Sequence, residues 1–125
     1  MGTFNPPKKN VVLVVEDEPL LLMAAVDLVE EAGFEAVEAR NADEAIEILN
    51  AREDIRIVFT DIDMPGSMDG MKLAAMVRDR WPPVEIIIVS GHRKVADDDL
   101  PARSVFFSKP YDVDRVTAQL HAMAA

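Results

Sequence analysis

The sequence predicts an α/β domain: one parallel sheet with helices on both faces. Three observations point there. Four short apolar runs, at 11–15, 57–59, 85–89 and 105–107, are continuous rather than alternating, as in strands covered on both sides. Stretches with helical apolar spacing separate them, and strand–helix alternation of this kind implies parallel strands joined by right-handed crossovers. The chain has 125 residues, which suits a single core.

The elements follow in order. VVLVV at 11–15 is the first strand, and a helix is expected over 19–32, closed by Gly33. FEAVEA at 34–39 alternates, so it is expected as an edge strand. A second helix spans 42–52, and IVF at 57–59 forms the next strand. The third helix, 70–81, stops at Pro82 and Pro83, ahead of the strand EIIIV at 85–89. In KVADDDLPAR, 94–103, three adjacent aspartates and a proline leave the fourth crossover helix short or absent. After VFF at 105–107, the last helix is expected over 112–124, with Asp112 as its cap and Val113, Val116, Leu120 and Met123 at helical spacing. The polar, proline-interrupted residues 1–9 read as a loose tail before a domain over 10–125.

Composition narrows the function. A formal charge of −10 repels phosphate backbones, and no basic patch compensates, so nucleic acid is not an expected partner. There is no cysteine for a disulfide or thiolate metal site. No run approaches the roughly 20 apolar residues of a membrane span, and Pro6 breaks the myristoylation pattern. The expected compartment is the cytoplasm, without membrane attachment.

The residues that follow the strong apolar runs are all polar. Glu16, Asp17 and Glu18 follow the first, Asp61 and Asp63 the second, Ser90 and Gly91 the third, and Lys109 the fourth. In a parallel sheet these carboxyl ends share one edge, where ligands bind. Two carboxylates about 4 Å apart repel by about 4 kcal/mol at an effective dielectric near 20. Glu16, Asp17 and Asp61 therefore need cations; Lys109 supplies one charge, and an all-oxygen donor set favours Mg²⁺ or Mn²⁺ for the rest.

Together VVEDEP, FTDIDMPG with DG eight residues after Asp61, IIIVSGH and FFSKPYD resemble the receiver domain of bacterial two-component response regulators, from Asn10 to about Met123. The resemblance implies a flavodoxin-like five-stranded sheet of order 2-1-3-4-5. It also implies that Asp61 accepts a phosphoryl group from a histidine kinase or histidine phosphotransferase. Asp17 and Asp61 match direct Mg²⁺ ligands, Glu16 an acid holding the ion through water, and Asp63 the position whose backbone carbonyl coordinates. Ser90 matches the hydroxyl that meets the phosphoryl group, Lys109 its salt-bridge partner, and Phe106 the aromatic residue that follows the hydroxyl inward. The interval 61–70 is one residue longer than the family pattern, through Gly66 and Ser67, and 90–109 about three residues shorter. With nothing after Ala125, a stand-alone receiver acting through an unidentified protein, or as a phosphate relay or sink, is expected.

Two further expectations concern surfaces and alternatives. Residues 20–26 are seven consecutive apolar residues. With Leu21, Ala24, Ala25 and Leu28 assigned to the core, Leu22, Met23 and Val26 are expected outside, where they and Pro110 and Tyr111 would receive the kinase. DIDMP also fits the aspartate-x-aspartate motif of haloacid-dehalogenase-like phosphohydrolases, with Asp61 as nucleophile and Asp63 as acid. The bland readings are a solvated side chain for Asp63, surface positions for His92 and His121, and packing for Met64, Met68 and Met71.

Overall fold

The computed structural model describes residues 10–64 and 68–125. The expected tail and the Gly66–Ser67 lengthening lie outside them. β-Branched and aliphatic residues dominate β1 (Val11–Val15), β3 (Ile55–Asp61) and β4 (Glu85–Ser90), the residue types that suit a pleated, two-sided surface. With β2 (Glu35–Ala39) and β5 (Ser104–Ser108) they form one parallel sheet of order β2-β1-β3-β4-β5.

Alternation along the strands explains why the apolar runs are unbroken. Val11, Leu13 and Val15 point to one face, and Val12 and Val14 to the other. The first face is covered by α2 (Ala42–Ala51) and α3 (Gly70–Arg80), through Ala45, Leu49, Leu73, Ala74 and Val77. The second is covered by α1 (Pro19–Glu31) and α4 (Val113–Ala124), through Leu22, Leu28, Val29, Val116 and Leu120. As expected, β2 is an edge strand. The chain leaves α1 through Gly33, whose φ of +99° lies where glycine is favoured.

Each helix starts on a side-chain cap. Glu18 accepts from the Leu21 N–H at 2.8 Å, Asn41 from Glu44 at 2.8 Å, Asp69 from Lys72 at 3.0 Å and Asp112 from Asp114 at 2.9 Å. These caps place the helix starts beside the carboxyl ends of the strands.

The β4–β5 crossover carries only a single 3-10 turn, Asp97–Asp99. Three adjacent carboxylates disfavour a longer helix, and Pro101 ends it. Val95 and Leu100 pack on the core in its place, while the Arg78 guanidinium ties the segment to α3 by donating to the Ala102 carbonyl at 2.6 Å and the Arg103 carbonyl at 3.4 Å. With so thin a cover, β5 stays half-buried along Ser104–Phe107.

One expectation is corrected. Leu22 is buried at 7% exposure, whereas Leu21 is 45% and Met23 60% exposed; Val26 is half-buried. The buried stripe of α1 runs through Leu22, Ala25, Leu28 and Val29, rotated one position from that expected. Seven apolar residues in a row carry no polar marker of phase, so only the seating of the helix on β1 and β2 sets it. His121 is exposed, as expected, while its ring stacks on Phe34 at 5.7 Å and its Nε2 lies 2.8 Å from the Ala32 carbonyl oxygen. The orientation of α1 predicts opposite outcomes for adjacent residues. Leu22→Ala should destabilise the fold by about 2–5 kcal/mol, and Met23→Ala by no more than about 0.5 kcal/mol, measured from urea unfolding midpoints.

Candidate functional site

Among the described residues the buried polar or charged side chains are Glu16, Thr60, Asp61 and Ser90, all at the carboxyl ends of β1, β3 and β4. Burial of a charge demands a partner. Asp61, 6% exposed at the end of β3, accepts from Lys109 Nζ through Oδ2 at 3.1 Å and from the Asp63 N–H through Oδ1 at 3.4 Å. Glu16, 5% exposed, accepts from Lys109 Nζ at 3.1 Å and from the Glu18 N–H at 3.2 Å. One ammonium thus bridges two carboxylates carried by residues 93 and 48 positions away.

Backbone contacts fix these groups. Thr60 Oγ1 donates to the Asp61 carbonyl at 3.0 Å, the Ile62 N–H to Val89 at 2.9 Å, and the Gly70 N–H to Ile62 at 3.0 Å. The start of α3 presses so closely on Asp61 that a Cβ at Gly70 would lie within 2.8 Å of the Asp61 carbonyl carbon and Ile62 Cα, as well as against the Asp61 carbonyl oxygen. The DG pair thus has a steric reason: its aspartate caps the helix and its glycine lets the helix approach. On the other side the Lys109 N–H donates to the Ser90 carbonyl at 2.9 Å, and the Lys109–Pro110 peptide is cis.

Glu16, Asp17 and Asp61 each offer a carboxylate oxygen, all within 4.8 Å of one another. With one ammonium among three acids, the all-oxygen set suits a hard divalent cation. Burial raises the pKa of Glu16; the Lys109 and Glu18 hydrogen bonds oppose this but do not cancel it. For Lys109 burial acts downward, and the hydrogen bonds to Glu16 and Asp61 outweigh it, leaving its pKa above the ordinary lysine value. The ammonium therefore stays charged throughout the neutral range.

The Asp63 side chain differs from expectation. The Asp63 side chain is not simply solvated: its Oδ2 accepts from Ser90 Oγ at 2.9 Å, and its Oδ1 lies 3.5 Å from Arg93 Nε. Arg93 also reaches Asp69 at 3.4 Å. Sequence reasoning missed Arg93, Thr60 and the cap role of Asp69. Thr60, a polar residue inside an apolar run, carried a detectable signal; Arg93, in a loop without periodicity, carried none. Phe106 is half-buried against the core, as are Met64, Met68 and Met71.

The expected docking residues divide between two surfaces. Pro110 and Tyr111 join Leu21, Ala24 and Val113 around an apolar groove of about 650 Å³ that opens onto Asp61 and Lys109. Met23 and Val26, with buried Leu22 behind them, border a separate cavity of about 410 Å³ beside Asp17. Among the described residues no helix is long and apolar enough to cross a membrane.

Comparison with known proteins agrees with this geometry. Residues 12–121 match the response regulator receiver domain family. The chain is 30% identical over 109 residues to the nitrogen assimilation regulatory protein NtrX of Azorhizobium caulinodans, covering 84% of this chain and 24% of that protein. It thus spans about a quarter of that relative's length. A response regulator receiver protein from Pseudomonas putida superimposes with a TM-score of 0.83 at 26% identity, over 94% of this chain and 99% of that one. The Thermotoga maritima response regulator TrrA, solved with Mg²⁺ and BeF, superimposes with a TM-score of 0.80 at 24% identity, over 91% and 98% of the two chains.

The groove yields a test with a clean signal, because Tyr111 is the chain's single tyrosine. Its ring meets Phe59 edge-on at 5.9 Å, and burial raises its pKa, with Lys109 opposing. The phenolate absorbance should therefore appear with a midpoint above the ordinary value of about 10. Since the folded pKa is the raised one, the associated stability is present below pH about 10 and is lost as pH rises through the folded value. A midpoint at or below that of free tyrosine would contradict the packed groove.

Proposed function

The chain belongs to the response regulator receiver domain family, and we propose that it is a phosphoacceptor signalling module, in which Asp61 takes a phosphoryl group from the phosphohistidine of a histidine kinase or histidine phosphotransferase. The observation that carries this reading is the buried Asp61 carboxylate, held 3.1 Å from Lys109 inside an acidic cluster that one ammonium does not neutralise. An Asp61 oxygen forms the new P–O bond as the P–N bond to imidazole breaks. The electron pair stays on the imidazole nitrogen, which takes up a proton. Little covalent work is asked of the protein, so positioning and charge neutralisation dominate.

Each side chain has a part in this. Glu16, Asp17, Asp61 and the Asp63 backbone carbonyl would hold Mg²⁺, or Mn²⁺. Bound there, the ion neutralises acids and phosphoryl oxygens together. Lys109, already paired with Asp61, keeps a positive charge beside the oxygens that arrive. Ser90 donates its hydroxyl to the phosphoryl group, which brings close to two negative charges and three acceptors. Phe106, lacking a hydroxyl, follows inward without leaving a buried polar atom, so packing transmits the change. Output then runs through protein contacts or onward phosphate transfer; the net charge of −10 speaks against nucleic acid. The hydrolase alternative is less well supported, because the Asp63 carboxylate is engaged as an acceptor by Ser90 and beside Arg93, not free to act as an acid.

Incubation with acetyl phosphate and Mg²⁺ should add one phosphoryl mass to the intact protein, and Asp61→Asn should abolish the adduct. An adduct that persists in that variant would reject the assignment. The kinase is expected at the groove beside the site, with Pro110 and Tyr111 and, since Leu22 is buried, Leu21 in its stead. Leu21→Asp should slow phosphoryl transfer from the cognate kinase about tenfold or more, the loss of roughly one apolar contact, while labelling by acetyl phosphate stays the same. Equal loss in both assays would refute docking there.

A further inference from the structure

The hydroxyl expected to meet the phosphoryl group is already in use. A serine hydroxyl has one proton and two lone pairs. The Ser90 proton goes to Asp63 Oδ2 at 2.9 Å, and its oxygen accepts the N–H groups of His92 at 3.2 Å and Arg93 at 3.0 Å. All three bonding positions are filled without Asp61. Asp63 is itself oriented: Arg93 Nε lies 3.5 Å from its other oxygen, and Arg93 Nη1 lies 3.4 Å from Asp69, whose second oxygen caps α3. The chain of contacts runs from the β3 loop through Ser90 to the β4 loop and back to α3.

We propose that the Asp63 carboxylate, oriented by Arg93, is a latch that holds the Ser90 hydroxyl away from the phosphoacceptor, and that its release is a step of the switch. This rests on the phosphoacceptor reading above and adds a role for the Asp63 side chain distinct from its backbone carbonyl. For Ser90 to donate to a phosphoryl group on Asp61, its proton must leave Asp63. The rotation withdraws the oxygen from the His92 and Arg93 amides, so the loop after β4 must rearrange too. The phosphoryl group competes for this proton with more charge than a single carboxylate carries. Asp63 and Arg93 are positioning residues: they act through Ser90.

The test reads the His92 backbone amide resonance, which reports directly on the Ser90 oxygen. Wild-type protein with and without beryllium fluoride and Mg²⁺ defines the two end points. In metal-free, unphosphorylated protein, Asp63→Ala should move the resonance toward the beryllium fluoride position, as a roughly tenfold gain of the released state. Arg93→Gln should move it the same way by less; both side chains are solvent-accessible, at 29% and 50%, so neither change removes core packing. In a Ser90→Ala background Asp63→Ala should have no such effect. A His92 resonance that stays put in Asp63→Ala, moves in another direction, or responds equally without the Ser90 hydroxyl overturns the latch. A wild type that does not respond to beryllium fluoride overturns the phosphoacceptor reading and the latch with it, whereas a responsive wild type with unresponsive variants overturns the latch alone.

Discussion

Everything at the functional edge depends on burying the Asp61 carboxylate at the end of a central strand with a single ammonium to balance it. Desolvation of a charge is costly unless it is paired and hydrogen-bonded. Lys109 serves that need but is shared with Glu16 at the same 3.1 Å. Asp17 joins the cluster from a more exposed position. The edge therefore stands with an excess of negative charge, poised to accept cations and held in shape by neighbours that have little to do with charge. Thr60 holds the Asp61 carbonyl, and Gly70 admits the close approach of α3.

The two sides of the sheet contribute unequally. α1 and α4 form a full cover whose upper rim, with Leu21, Tyr111 and Val113, opens as an apolar groove beside Asp61. On the opposite face α2 and α3 cover the centre, but the β4–β5 crossover offers only a 3-10 turn. Arg78 secures that segment by donating to the Ala102 and Arg103 carbonyls, a hydrogen-bonded substitute for a helix packed on the sheet. β5, which carries Phe106 and leads into Lys109, is consequently less buried than its neighbours β4 and β3. Ser90, Arg93 and Phe106 lie on or beside this thinly covered crossover and strand.

Several features were legible in the order of residues. Unbroken apolar runs identified β1, β3 and β4, since a strand flanked on both faces needs apolar side chains at every position. Alternation in β2 marked an edge. Asp112, Gly33 and the Pro82–Pro83 pair marked helix ends because caps and breakers act locally. The polar residues directly after each run located Glu16, Asp17, Asp61, Ser90 and Lys109, for the carboxyl ends of parallel strands meet whatever the details of packing. The phase of α1 was not legible, because Leu20 through Val26 offered no polar side to set it.

The sequence by itself determined the class of fold, the strand ends and the residue types that gather at them, because these follow from hydrophobic period and chain direction. Tertiary structure alone decided which face of α1 is buried, that one lysine serves two acids, and that the Ser90 hydroxyl is bound to Asp63 rather than to Asp61. Those outcomes depend on side chains from remote segments competing for the same protons and the same space, and no local pattern records who prevails.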